Sequence, residues 1–160
     1  MRATIVERPI DAAALLAEVA SPAHGATALF VGTVRDVNDG RAVTGIEYSA
    51  YAAMAEKEMR SILEEAAVRF GVTAAVVEHR VGALALGEAS VVIATAHAHR
   101  GPALDANRYL IEQLKQRVPV WKRELYTDGT REWVDPSGAR AMAGAPASAP
   151  GARPGGASHA

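Results

Sequence analysis

The chain has 160 residues, with 17 Lys or Arg against 18 Asp or Glu and a formal net charge of −1, so no global charge recommends nucleic acid or an anionic membrane as its partner. Apolar residues make up 49% and charged residues 22%, the balance of one soluble globular domain with enough chain to bury a core. Cysteine is absent, which excludes disulfides, thiolate metal sites, a cysteine nucleophile and any persulfide carried on this chain.

In chain order, residues 2–7 suit a short edge strand. Asp11 is placed to cap an Ala/Leu-rich helix, AAALLAEVA, that stops at Ser21-Pro22. GATALFVGTV, residues 25–34, is apolar on both faces and predicts a buried strand. It ends at Arg35, and Asp39-Gly40 between two strand patterns predicts a hairpin whose return strand runs from Val43 to Tyr51. Ala55, Met59, Ile62, Leu63, Ala66 and Phe70 recur at helical spacing, with Glu56–Arg60 and Glu65–Arg69 pairs outside and Gly71 as the C-terminal cap.

Strands are expected at Val72–Val81 and Ala89–His97, joined by a loop over residues 82–88. The next helix, from Pro102 to about Arg117, is expected to bury Leu104, Ile111, Leu114 and Val118, with Leu110 flanking. A short extended piece, Val120–Tyr126, precedes a turn at Asp128-Gly129, and Glu132-Trp133-Val134 closes the ordered part. From residue 137 to 160 the chain is Ala, Gly, Pro and Ser with scattered Arg, which cannot offset its conformational entropy and predicts a disordered tail. Hairpins with packed helices make the fold class α+β, with a single domain over residues 1–136.

Two cationic segments stand out, at opposite ends of the last helix. His99 and Arg100 precede Gly101-Pro102, where a starting helix offers unpaired N–H groups and a positive dipole end to an anion. Lys115, Arg117, Lys122 and Arg123 follow that helix, interrupted by Pro119 and accompanied by Trp121. Of 17 basic residues only Lys57, Lys115 and Lys122 are lysines; an amine can give up its proton and a guanidinium in effect cannot. His97 and His99 could form a metal pair, but no third ligand with recognisable spacing accompanies them, and no metal is expected. No Ser-His-Asp arrangement, P-loop or dinucleotide fingerprint is present.

GTVRDVNDG, the HAHR turn before a helix, LKQRVPVWKRE and the final Trp-Val after an Asp-Gly turn resemble the large, catalytic subunit of molybdopterin synthase, in that family's order over residues 1–136. The resemblance implies an α/β-hammerhead fold with mixed, largely antiparallel sheets. It implies a homodimer in which each copy binds one small ubiquitin-like sulfur-carrier subunit, a heterotetramer overall. The partner's C-terminal Gly-Gly carries a thiocarboxylate whose sulfur passes to cyclic pyranopterin monophosphate, forming the dithiolene of molybdopterin. The sulfur belongs to the partner, which agrees with a chain that has no cysteine, and no resident cofactor is implied.

The family pattern places Thr33, Val34 and Arg35 against the substrate, and His99 and Arg100 among its anion contacts. Lys115 and Lys122 become the catalytic candidates: Lys115 beside the thiocarboxylate carbonyl, Lys122 in substrate-anion binding and proton transfer, with Arg123 and Glu124 contributing contacts. Each also has a plainer reading. Lys115 suits a snorkelling surface lysine, Arg35 a solvated loop cation, and Arg123–Glu124 a structural ion pair. A cationic module for RNA is a rival disfavoured by the net charge of −1 and an aromatic content of 5%. A scaffold that only docks the small subunit is the other. The start, MRATIVERPI, has no apolar signal core and no run nears the ~20 residues of a membrane span, so the cytoplasm is the expected location.

Overall fold

Along the chain the elements are β1 (Arg2–Val6), α1 (Ala12–Val19), β2 (Ala26–Thr33), β3 (Val37–Asn38), β4 (Arg41–Ala50), α2 (Ala52–Phe70), β5 (Ala74–Arg80), β6 (Gly82–Ala85), β7 (Ala89–His97), α3 (Arg100–Arg117), β8 (Val120–Tyr126) and β9 (Arg131–Val134). The computed structural model describes residues 1–134; the expected domain limit at 136 and the tail at 137–160 lie outside the described residues.

The first sheet has the order β1-β5-β7-β2, with β1 parallel to β5 and the other pairs antiparallel. Its two central strands are apolar on both faces, so both faces must be covered. Ala75, Val77, Val91 and Ile93 pack under α2 and α3 together with Met59, Ile62, Leu63 and Leu110. Val76, Val92, Ala94 and Ala96 pack on the opposite face with Leu15 and Val19 of α1. Asp11 caps α1 by accepting a hydrogen bond from the Ala14 N–H at 3.0 Å, and Gly71 closes α2 in the left-handed conformation with φ 69°.

The second sheet has the order β3-β4-β8-β9, with β6 also paired to β4. Its own small core is Val34, Val43, Ile46, Leu84 and Tyr126, and Tyr48 packs against both this cluster and the main core. The fold is therefore α+β with mixed, largely antiparallel sheets.

Several sequence expectations are corrected. Residues 26–33 do form a strand, but β2 is an edge strand, and Leu29 and Val31 are 42% and 39% exposed. An apolar run specifies a strand without saying which of its faces finds a neighbour. The Asp39-Gly40 turn, with φ 49° and 75°, does make a hairpin, yet its strands are the two-residue β3 and β4; β2 belongs to the other sheet. The expected loop at 82–88 contains β6, which pairs with β4 at Gly45–Tyr48.

On α3 the buried stripe is Ala103, Ala106, Asn107, Leu110 and Leu114. Leu110 is fully buried, whereas Leu104 is 58% exposed. The stripe turned because a polar residue sits inside it: the Asn107 side-chain amide donates to the carbonyls of Ala28 and Ile93, each at 3.1 Å. Glu56–Arg60 pairs as expected, but Glu65 is taken by Arg117 and Tyr109, and Arg69 lies instead over the rings of Phe70 and Tyr109. Helix α3 begins at Arg100, so Pro102 lies inside the first turn rather than opening it.

Candidate functional site

Pro119 builds the site. The residue before a proline is pushed out of the helical region, and Val118 accordingly ends α3 at φ −77°, ψ 126°. The Val120 N–H donates back to the Val118 carbonyl at 2.8 Å, a one-residue reversal that starts β8 immediately. Lys115, in the last turn of α3, and Lys122, three residues into β8, thereby face one cavity of about 530 Å³ between the two sheets. A cation in the last helical turn also meets the negative end of the helix dipole.

Alternation along β8 sorts its side chains. Val120, Lys122 and Glu124 line the cavity. Arg123, one step out of phase, points to the other face, where it pairs with the cross-strand Glu47 and lies over the Trp133 ring at 5.4 Å. Of the two readings of Arg123 and Glu124, an ion pair between neighbours does not form, because adjacent strand residues face opposite ways.

Glu124 is 1% exposed and accepts three hydrogen bonds: from Asn38 Nδ2 at 2.8 Å, Lys122 Nζ at 3.1 Å and the Tyr126 hydroxyl at 2.7 Å. Burial raises its pKa, but the bonds from Tyr126 and Lys122, the Lys122 charge and the Asn38 amide outweigh burial, and the net value lies below the usual carboxylate range. Tyr126 is pushed up to about 12 by its own burial and by the adjacent Glu124 carboxylate. Glu124 is therefore an ionised anchor that orients Lys122 rather than a free acid or base.

Arg35 leaves the end of β2 and lines the same cavity with Thr33; its guanidinium donates to Asn38 Oδ1 at 3.3 Å. Val34 does not join them. It is 4% exposed in the second core, its N–H donates to the Glu88 carbonyl and its carbonyl accepts from Gly87. As the middle residue of an extended Thr-Val-Arg triplet, it faces inward when its neighbours face the cavity.

His99 and Arg100 lie at the other end of α3, beside a second, more open hollow of about 520 Å³ lined also by Gly25, Ala98, Gly101 and Pro102. Fifteen residues separate Arg100 from Lys115, about 22 Å along a helix axis. His97 Nδ1 is engaged by the His99 N–H at 3.0 Å. The cavity also contains residues the sequence did not single out, Asn38 and His79. Asn38 reads as a turn residue, and His79 as a lone histidine in a strand; neither carries a local pattern that distinguishes it.

The cavity holds three cationic side chains, Arg35, Lys115 and Lys122, against one carboxylate that already accepts three hydrogen bonds. Such a set binds anions and stabilises negative charge that develops on an oxygen.

Comparison with known proteins agrees in detail. Residues 5–117 match the family model described as MoaE protein. The chain is 41% identical over 129 residues to the molybdopterin synthase catalytic subunit of Thermoplasma volcanium, covering 81% of this chain and 94% of that protein. Molybdopterin synthase from Staphylococcus aureus superimposes with a TM-score of 0.78 at 34% identity, over 82% of this chain and 95% of the other. A complex of subunits 1 and 2 of the molybdopterin-converting factor from Helicobacter pylori superimposes with a TM-score of 0.68 at 25% identity, over 82% and 88% of the two chains. With that extent of agreement in sequence and fold, the chain belongs to the MoaE protein family.

Proposed function

We propose that the cavity between the two sheets is a sulfur-transfer site, and that the protein works as the catalytic subunit of molybdopterin synthase in molybdenum cofactor biosynthesis. It is an enzyme, a sulfurtransferase. The observation that carries this reading is the convergence of Lys115 and Lys122, from different elements, on one cavity that also holds Arg35.

The substrate, cyclic pyranopterin monophosphate, brings a phosphate, and the small partner brings the thiocarboxylate at its C-terminal Gly-Gly. Both are anions, and the cationic lining suits both. A partner subunit agrees with the two-subunit complex known for the Helicobacter pylori relative. The thiocarboxylate sulfur attacks a side-chain carbon of the pterin and displaces the oxygen held there, so that a C–S bond replaces a C–O bond and the oxygen leaves as water or on the phosphate. Water then cleaves the bond between that sulfur and the acyl carbon, leaving a carboxylate on the partner and sulfur on the pterin. Negative charge develops on the acyl oxygen during cleavage, and Lys115, with no ion-pair partner among the described residues, is the ammonium placed to stabilise it. Lys122, oriented by Glu124, holds substrate anion and moves a proton. Arg35 and Thr33 contact the phosphate or pterin, and two rounds complete the dithiolene.

His99 and Arg100 stand about 22 Å from Lys115 along α3, so within one chain they do not serve the same substrate. In the homodimer of this reading they reach the cavity of the second copy. The assembly is then a dimer of these chains with one small subunit on each, in the cytoplasm. Among the described residues no helix is long and apolar enough to cross a membrane.

The direct test combines the protein with a thiocarboxylated small subunit and cyclic pyranopterin monophosphate, and follows molybdopterin through its fluorescent oxidation product. Wild type should form product and Lys115→Ala should lose it by about 100-fold or more, the scale of removing one oxyanion donor. Product from both would remove Lys115 from the mechanism. No product from a folded, partner-binding wild type would leave a scaffold that only docks the small subunit.

A further inference from the structure

The cationic groups of the cavity, Arg35, Lys115 and Lys122, select for anions and little else. Sulfate, phosphate and a pterin phosphate would compete on charge alone, so a substrate-specific site needs an acceptor as well. Glu124 offers little of it, because Asn38 and Tyr126 already donate to its Oε2 and Lys122 to its Oε1.

His79 does. On β5 the side chains of Ala75 and Val77 point into the core beneath α2 and α3, and His79, next in that row, emerges from the core into the cavity. Its ring is fixed on two sides. Nδ1 lies 3.0 Å from the Arg80 carbonyl, and the edge of Tyr48 meets the ring at 5.2 Å and 74°. A carbonyl can only accept, so Nδ1 carries the hydrogen and Nε2 presents a lone pair. Among the described residues Nε2 has no hydrogen-bond partner, yet it is not sealed: the one buried side-chain polar atom without a partner there is Glu78 Oε2. Nε2 therefore opens to the cavity.

We propose that His79 is a specificity-determining residue of this cavity, whose Nε2 accepts a hydrogen bond from an N–H or O–H group of the bound pterin. The inference rests on the functional reading above and adds an acceptor to its donors. The ring is also held neutral. Burial lowers its pKa to about 4, against a smaller upward effect of the Arg80 carbonyl. At neutral pH it is thus an acceptor among Arg35, Lys115 and Lys122 rather than a fourth cation.

The test compares equilibrium binding of cyclic pyranopterin monophosphate and of sulfate, an anion with no donor, to wild type, His79→Phe and His79→Gln. Phenylalanine keeps a ring against Tyr48 and removes the acceptor; glutamine restores an oxygen near the Nε2 position. The expected result is a 10-fold or greater loss of pterin affinity in His79→Phe, the scale of leaving a buried donor unpaired. Sulfate affinity should stay within about twofold, and His79→Gln should recover most of the loss. Should His79→Phe melt early, His79→Asn carries the comparison, since it keeps a donor for the Arg80 carbonyl and has nothing at the Nε2 position. Unchanged pterin binding in the acceptor-free variants overturns the proposal, as does parallel loss of pterin and sulfate or a failure of glutamine to rescue. A wild type that binds sulfate and no pterin overturns the functional reading and this inference together, so the two failures are distinct.

Discussion

Glu124 shows how a residue's role depends on what surrounds it. By sequence it stands beside Arg123, and by structure it bonds Lys122, Asn38 and Tyr126 while Arg123 bonds Glu47 across the ladder. The period of two along a strand decides this, and it follows once residues 120–126 are known to be a strand rather than a loose extended piece. His79 makes the same point for titration. Below pH 6.5 the unfolded chain takes up a proton that folded His79 refuses until about pH 4, so stability falls as pH drops through that window, by about 3 kcal/mol for this group. Denaturant unfolding at a series of pH values should show that slope in wild type, and His79→Phe should flatten it between pH 6.5 and 4. An equal slope in both proteins would place the acid sensitivity elsewhere.

At the scale of elements, helix α3 is the case where periodicity alone misplaced a face. LDANRYLIEQL offers Leu104, Leu110, Ile111 and Leu114 as apolar candidates, and a reading that excludes the polar Asn107 turns the stripe toward Leu104. The structure turns it toward Leu110, because Asn107 is inside and its amide satisfies two carbonyls of the sheet. Leu110→Ala should therefore cost about 2–5 kcal/mol, the range for a truncated core leucine. Leu104→Ala should stay within about 0.5 kcal/mol, as surface substitutions do. Urea unfolding with unchanged m-values measures both, and comparable losses in the two variants would contradict the packing described. By contrast, the buried face of α2 was legible, although its Glu65–Arg69 pair was not. Its buried face, Ala55, Met59, Ile62, Leu63 and Ala66, contains no polar interruption, and Gly71 marks its end.

For the whole molecule, the question is whether two cationic groups about 22 Å apart on one helix act on one small substrate. If the second copy supplies His99 and Arg100, inactive Lys115→Ala and Arg100→Ala proteins should complement each other. After subunits are exchanged at equal concentration, half the dimers are mixed and each contains one intact site, so about a quarter of wild-type product formation should return. No recovery after demonstrated exchange would place both groups in sites confined to one chain.

Much was settled by the sequence alone. Except for β3 and β6, the order of elements, with the α+β class, the Asp11 and Gly71 caps, the Asp39-Gly40 turn and the Pro119 break, arises from local backbone chemistry, in which each signal and its consequence lie within a few residues. Family membership likewise rests on short motifs that can be read in order along the chain. What only the tertiary structure decided was which surfaces meet. It sent β2 to a sheet edge, gave β6 a partner in β4, put Val34 into a core and turned Arg123 away from the cavity that Lys115, Lys122 and Arg35 share. It also brought in His79 and Asn38. These outcomes depend on contacts between residues tens of positions apart, such as Asn38 with Glu124 and His79 with Tyr48, and no local pattern in the chain encodes such a pairing.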